Sequence, residues 1–208
     1  MELQCLKIGH KNYFDNNYFF KFSANIIRYC NYKCSYCWDS YHSKDKTDYI
    51  PWKVLDKTLK KIVDHCNKNN INKVSISYSG GEPLRHPEIF DILKSISYYD
   101  IKIETCITTN LSCNMDFFNE LVTIVKKYNI NLTISSTLHG EFINTDYKFK
   151  NYMSKLNFLK DNNIPVTVNL VMKQDTFWEQ AEQATIIRDN NIPIVLKHLR
   201  DKNGIPVK

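Results

Sequence analysis

Cys30-Asn31-Tyr32-Lys33-Cys34-Ser35-Tyr36-Cys37-Trp38 places three thiols in one short loop. The apolar run Ala24-Asn25-Ile26-Ile27 comes just before it. A strand that ends in a tight cysteine loop aims its sulfurs at one spot. Thiolates gathered there are soft donors, suited to an iron–sulfur cluster or to zinc. Zinc in a structural site normally takes four protein ligands, and this loop has three cysteines. A cubane cluster held by three cysteines keeps one iron open to a small-molecule ligand.

A second segment works with the first. Ser79-Gly80-Gly81-Glu82-Pro83 follows the run Val74-Ser75-Ile76-Ser77-Tyr78. Two glycines let a backbone approach a ligand closely and take turns closed to other residues. Glu82 supplies an acceptor for an ammonium group, and Pro83 stiffens the exit. The spacing Cys-x3-Cys-x2-Cys with an aromatic after it, then Gly-Gly-Glu-Pro, resembles the signature of the radical S-adenosylmethionine (SAM) enzymes. The likeness is to their molybdenum-cofactor and peptide-maturase type, and it covers roughly residues 20–200.

The resemblance implies that Cys30, Cys34 and Cys37 bind three irons of a [4Fe-4S] cluster. The fourth iron would chelate the amino and carboxylate groups of SAM. Gly80, Gly81, Glu82 and Pro83 would hold the methionine end, with Glu82 accepting from the ammonium. Tyr36 stands where the family contacts the adenine, and Tyr36 and Trp38 would cover the cluster. Thr109 and Asn110 match the third-strand ending that reaches the ribose or carboxylate, although Leu111 replaces the usual glycine. Ser135, Ser136 and Thr137 are candidates for the carboxylate; Ser135 and Thr137 share one face of their strand. The implied chemistry is one-electron cleavage of SAM to methionine and a 5′-deoxyadenosyl radical, which takes hydrogen from a substrate. That substrate is an unidentified small molecule or peptide, and the electron donor would be a flavodoxin or ferredoxin. Two other readings stay open: a small nucleotide-modifying radical SAM protein, and a zinc-stabilised binding module without catalysis.

Taken in order, residues 1–23 are rich in aromatics and read as an N-terminal extension, over 1–19, with a short hairpin into the first core strand. Strands are expected over 20–29, 73–78, 101–108, 131–136, 165–172 and 193–199. Helices are expected from Pro51, from Pro87, over 116–128 and 147–162, and from a cap at Asp175 to about Asp189. Leu55, Leu59, Ile62 and Cys66 mark the core face of the first helix. Strands alternating with helices predict an α/β fold with a parallel sheet, a partial (β/α)6 TIM-like barrel over 20–208. In such barrels the chemistry sits at the C-terminal ends of the strands. The cysteine loop, Gly80–Pro83, Thr109-Asn110 and Ser136-Thr137 all fall there. Asn169 interrupts an apolar strand, and a core hydrogen bond and a ligand contact fit it equally well.

The 208 residues are enough for one domain with a sizeable core. No apolar run reaches membrane-spanning length, and the N-terminus lacks a signal pattern, so a soluble cytoplasmic protein is expected. Seven cysteines in a reducing compartment argue against a disulfide framework, and Cys5, Cys66, Cys106 and Cys113 read as structural. The net charge of +6 comes from lysines spread along the chain, which argues for a solvated surface rather than a nucleic-acid partner. His42 reads as a loop residue, and Lys197 and Arg200 as surface charge or as contacts for an anionic substrate. The polar stretch after the sixth strand has no helical pattern. That strand therefore predicts either a longer protein of which this is the core, or another element covering it.

Overall fold

The computed structural model describes residues 9–10, 19–172 and 176–198. Strand β1 (Gly9–His10) pairs antiparallel with β2 (Phe19–Ile27), which gives the expected hairpin-like start. The strands β3 (Lys73–Gly80), β4 (Lys102–Thr109), β5 (Asn131–Leu138), β6 (Val166–Met172) and β7 (Ile194–His198) then follow. All are parallel to β2 and lie in chain order. The helices α1 (Trp52–Lys68), α2 (Ile89–Ile96), α3 (Met115–Lys127), α4 (Asp146–Asp161) and α5 (Phe177–Asp189) fill the crossovers. Sequential order with right-handed crossovers puts every helix on one face of the sheet. The six parallel strands make the partial (β/α)6 barrel that the alternating pattern predicts.

The burial pattern separates the two faces. On β3, Val74, Ile76 and Tyr78 are buried under the helices, while Ser75, Ser77 and Ser79 stand half-exposed on the other face. The same alternation runs through β4, β5 and β6. The helix side is a continuous apolar core. The open side is lined by short polar residues such as Ser77, Cys106, Thr133, Ser135 and Asn169. A core built on one face leaves the other free for a ligand.

Several boundaries moved by a residue or two. The start of α3 buries Phe118 completely, whereas Phe117 is only half-buried beside it. Asn114 caps that helix by accepting from the Phe117 N–H. β2 stops at Ile27 because the ladder shifts register between Asn25 and Ile27, so Ile26 and Ile27 are both buried. Asp175, the expected cap of α5, lies outside the described residues, as do Cys5 and Arg200.

Candidate functional site

The end of β3 is fastened to the end of β2, backbone to backbone. Gly81 N–H donates to Ile27 O at 2.7 Å, and Glu82 N–H donates to Tyr29 O at 2.9 Å. A Cβ at Gly80 would lie 2.2 Å from Ile27 O, and one at Gly81 would lie 2.2 Å from Tyr29 O. Gly80 also takes φ +130°, where side chains are strained. The close approach that these glycines permit is therefore to β2, the strand that launches the cysteine loop, and not only to a ligand.

Glu82 is the hub of this junction. It is buried, and its carboxylate accepts from Thr109 Oγ1 at 2.6 Å, Asn110 N–H at 2.7 Å and Leu84 N–H at 3.0 Å. Burial pushes its carboxyl up from the usual range, against the three hydrogen bonds and Arg85 nearby. Thr109 and Glu82 thus serve each other, on the helix side of the sheet. Asn110 turns to the cysteine loop. Its Nδ2 donates to Asn31 Oδ1 at 3.2 Å and reaches Cys30 Sγ at 4.0 Å.

Leu111 occupies φ +53°, the conformation that explains why a glycine is usual there. The cost is offset by burial of its side chain and by two hydrogen bonds. Leu111 N–H donates to Thr109 Oγ1 at 3.0 Å, and Lys155 Nζ donates to Leu111 O at 2.9 Å.

Cys30, Cys34 and Cys37 lie on one loop above this junction. Cys34 is buried and the other two are half-buried. Burial pushes the Cys30 thiol up to about 11 and the Cys34 thiol up to about 12, and it also raises Cys37. Each of Cys30 and Cys34 also feels Cys37 as a like charge. Three such thiols are costly to ionise together in water and gain from a bound cation, which reverses the local charge balance. Three thiols match the three protein ligands of a cubane with one open iron and fall one short of the four that a structural zinc site takes, so the donor set fits a cluster.

A contact absent from the sequence reading comes from β5. His139 follows that strand, and its Nδ1 lies 2.7 Å from Tyr36 Oη and 3.2 Å from Cys34 Sγ. Burial pulls its pKa down to about 4, so the ring is neutral. Glu141 accepts from the backbone N–H of Ser35 at 2.8 Å and also from the Ser35 hydroxyl. Phe142 stacks on Tyr32, with centroids 4.2 Å apart. The β5–α4 loop thus grips the cysteine loop at Tyr32, Cys34, Ser35 and Tyr36. The signal for it in the sequence was only position: a histidine directly after a strand whose end faces the site.

The remaining candidates are placed as follows. Ser135 and Thr137 share the open face, while Ser136 is buried on the helix side with its hydroxyl 2.6 Å from Tyr152 Oη. Asn169 Nδ2 donates to Ser135 Oγ at 2.8 Å and Ser136 O at 3.2 Å, which answers the open question about Asn169 with a hydrogen bond between strands. Pro83 opens a short 3-10 turn, Pro83–Arg85, and is buried. Trp38, expected to cover the cluster, is instead 64% exposed, because the chain enters another 3-10 turn (Asp39–Tyr41) directly after it. Cys66 and Cys113 are buried, as structural cysteines should be, and Cys106 is half-buried on the open face.

Comparison with known proteins points the same way as the geometry. The family model described as the Radical SAM superfamily matches residues 24–184. The radical SAM cyclopropyl synthase TigE of Paramaledivibacter caminithermalis is 27% identical over 164 residues, covering 71% of this chain and 34% of that protein. The GTP 3′,8-cyclase of Clostridium perfringens is 30% identical over 150 residues, covering 70% of this chain and 44% of the other. The chain thus spans between a third and a half of the length of these curated relatives. Among solved structures, Streptococcus suis SuiB bound to S-adenosylmethionine superposes with a TM-score of 0.64 at 22% identity. That match covers 93% of this chain and 44% of SuiB.

Proposed function

The chain belongs to the radical SAM superfamily, and from that premise we propose that it is a radical SAM enzyme acting on a peptide. Residues 20–208 would form its core and residues 1–19 an extension. When bound, a [4Fe-4S] cluster and SAM supply a one-electron cleavage and a 5′-deoxyadenosyl radical that abstracts hydrogen from substrate. Cys30, Cys34 and Cys37 hold the cluster in this reading. The observation that carries it is the junction at the strand ends, where Gly81 and Glu82 are tied to Ile27 and Tyr29 at the end of β2 and Asn110 is tied to Glu82 and to Asn31 of the cysteine loop.

The residues of the chain divide the work. Gly80 to Pro83 present backbone to the methionine end of SAM, and the buried Glu82 keeps that backbone in place rather than accepting from the ammonium itself. Tyr36 borders the adenine position. Ser135 and Thr137 on the open face address the carboxylate, with Asn169 orienting Ser135. Half-burial of Cys30 and Cys37 leaves a path for an electron from a flavodoxin or ferredoxin, while the buried Cys34 limits water.

A peptide is favoured by the lining of the open face. Its short hydroxyls and Asn169 suit neutral amide groups. The likeness to SuiB, also solved with its precursor peptide SuiA, supports this choice. The likeness to GTP 3′,8-cyclase supports the second reading, a nucleotide substrate.

Anaerobic reconstitution tests the proposal. The expected result is cubane iron and sulfide content and release of 5′-deoxyadenosine from SAM with dithionite. Cys34→Ala should lose both while keeping the helical content of the parent. Full cluster occupancy in that variant would refute the ligand assignment. Faster SAM consumption with GTP than with peptides encoded beside the gene would favour the nucleotide reading.

A further inference from the structure

We propose that His139 and Tyr36 form a positioning pair that places a hydrogen bond on the sulfur of Cys34 and so raises the reduction potential of the cluster held there. The inference rests on the reading of Cys30, Cys34 and Cys37 as cluster ligands. The three sulfurs differ in what surrounds them. Cys30 Sγ takes a backbone N–H from Tyr32 at 3.4 Å, and Cys37 a backbone N–H from Trp38. Those backbone donors belong to the loop itself, and the one outside side chain at Cys30, Asn110 Nδ2, stands farther off at 4.0 Å. Cys34 instead meets side chains: Tyr36 Oη, which hydrogen-bonds it, and His139 Nδ1 at 3.2 Å from a strand end 105 residues away.

The pair is built, not incidental. His139 Nδ1 and Tyr36 Oη are 2.7 Å apart, and the two rings are nearly parallel, at 13°. Tyr32 meets the His139 ring edge-on, with centroids 5.8 Å apart, and fixes it from another side. Glu141, two residues on, holds Ser35 by its backbone N–H. The loop from β5 therefore has little freedom to swing the imidazole away. The Tyr36 hydroxyl carries one hydrogen and Nδ1 a second in the tautomer that this proposal requires, so that one goes to Sγ and the other joins Nδ1 and Oη.

A donor on a cluster thiolate withdraws charge from the sulfur. It favours the reduced cluster, which carries one more electron, and so raises the potential. Removing the donor makes the cluster harder to reduce. Its sulfur is also the most buried of the three, so the lost hydrogen bond is not readily replaced by water.

The test is an EPR-monitored dithionite titration of reconstituted wild type, His139→Leu, His139→Asn and Tyr36→Phe, with iron content measured on each sample. The expected result is a lower midpoint potential in His139→Leu and in Tyr36→Phe at unchanged iron content. His139→Asn, which keeps an amide near the Nδ1 position, should recover most of the shift. A merely structural role would lower iron occupancy in all three without moving the potential of the cluster that remains, and that result overturns the proposal. So does an unchanged potential in both His139→Leu and Tyr36→Phe. If His139→Leu retains no cluster, Tyr36→Phe, which keeps the ring, decides alone. A wild type that takes up no cluster overturns the cysteine reading first, and this proposal with it.

Discussion

The junction of β2, β3 and β4 and the last unit, α5 with β7, come from one repeating pattern and are built on opposite terms. At the junction the buried ionisable groups are answered inside the protein, although Thr105 Oγ1 on β4 is buried without a partner. Glu82 is buried with three donors, and His86 is buried with both ring nitrogens engaged, Nε2 with Ile50 O at 2.9 Å and Nδ1 with the Glu88 N–H at 3.0 Å. In the last unit the usual polarity is reversed. Gln180 and Gln183 are buried on α5, while Trp178 is 83% exposed and Leu196 on β7 is 64% exposed. The first region has no slack, and its chemistry depends on backbone placed to a fraction of an ångström. The second is the margin of the barrel, where side chains are free to change.

The sharpest way to break this contrast is to add one methyl group to a glycine that faces each region, Gly81 at the junction and Gly140, in the β5–α4 loop, against Gln180 of α5. Gly81→Ala puts a Cβ 2.2 Å from Tyr29 O and 2.8 Å from Arg28 O, both backbone atoms that cannot yield. We expect a loss above about 4 kcal/mol in urea unfolding, enough to abolish the fold in a marginal domain. Gly140→Ala meets only the end of one side chain, Gln180 Nε2 at 3.1 Å, which must give by a few tenths of an ångström while it keeps its hydrogen bond to Val171 O. Its expected cost is below about 1 kcal/mol. Equal costs at the two sites would remove the distinction between the regions.

This asymmetry also explains what could be read from the chain. Gly80, Gly81 and the three cysteines were legible because few residue types satisfy their geometry or chemistry. The strands from β3 to β6 were legible by alternation, and their helices by periodicity. His139 was not, because a single histidine after a strand carries no pattern; its partners Cys34 and Tyr36 lie over a hundred residues away. The structural task of Glu82 was hidden for a similar reason. The motif points to a ligand, whereas its three donors come from positions 84, 109 and 110. The outward turn of Trp38 follows from a short 3-10 turn that leaves little trace in sequence.

Glu82→Ala should come next in size. It strands three buried donors, and we expect about 3 kcal/mol of lost stability. Under the proposed role it should also weaken SAM binding by about one to two decades in calorimetry on reconstituted protein. Glu82→Gln keeps two acceptor positions at most and should fall between wild type and Ala. A fully stable Glu82→Ala protein would show that the junction does not depend on its carboxylate.

A pH series gives a finer measure of how tightly the junction is closed. Burial lowers the pKa of His86 below 6.5, against the opposing pull of Glu88; the Tyr49 ring and the Ile50 carbonyl also face it. The unfolded chain takes up a proton near pH 6.5 that the folded chain refuses. The stabilisation is therefore complete above that pH and is lost as pH falls through the folded value. The slope is at most about 1.4 kcal/mol per unit within that window. His139 titrates in the same direction, so the quantity to measure is the difference between wild type and His86→Gln at pH 7, 6 and 5. A His86→Gln slope as steep as that of wild type would mean that His86 accepts a proton in place.

The smallest effect is expected at the other end of the sheet. Leu196 pairs in register with the buried Leu170, which sets it on the helix side of β7. No described helix covers it there. Surface substitutions away from buried contacts change stability by less than about 0.5 kcal/mol, and Leu196→Ser should do the same. Urea unfolding of the isolated chain is the measurement, with Leu170→Ser, one strand inward, as the contrasting variant. Leu170 is fully buried, and a hydroxyl there should cost upwards of about 3 kcal/mol. If Leu196→Ser costs more than about 1.5 kcal/mol, the leucine is buried in the folded protein and an element packs against β7. The last unit would then be closed as firmly as the junction, and the contrast between the two ends of the sheet would be one of chemistry alone.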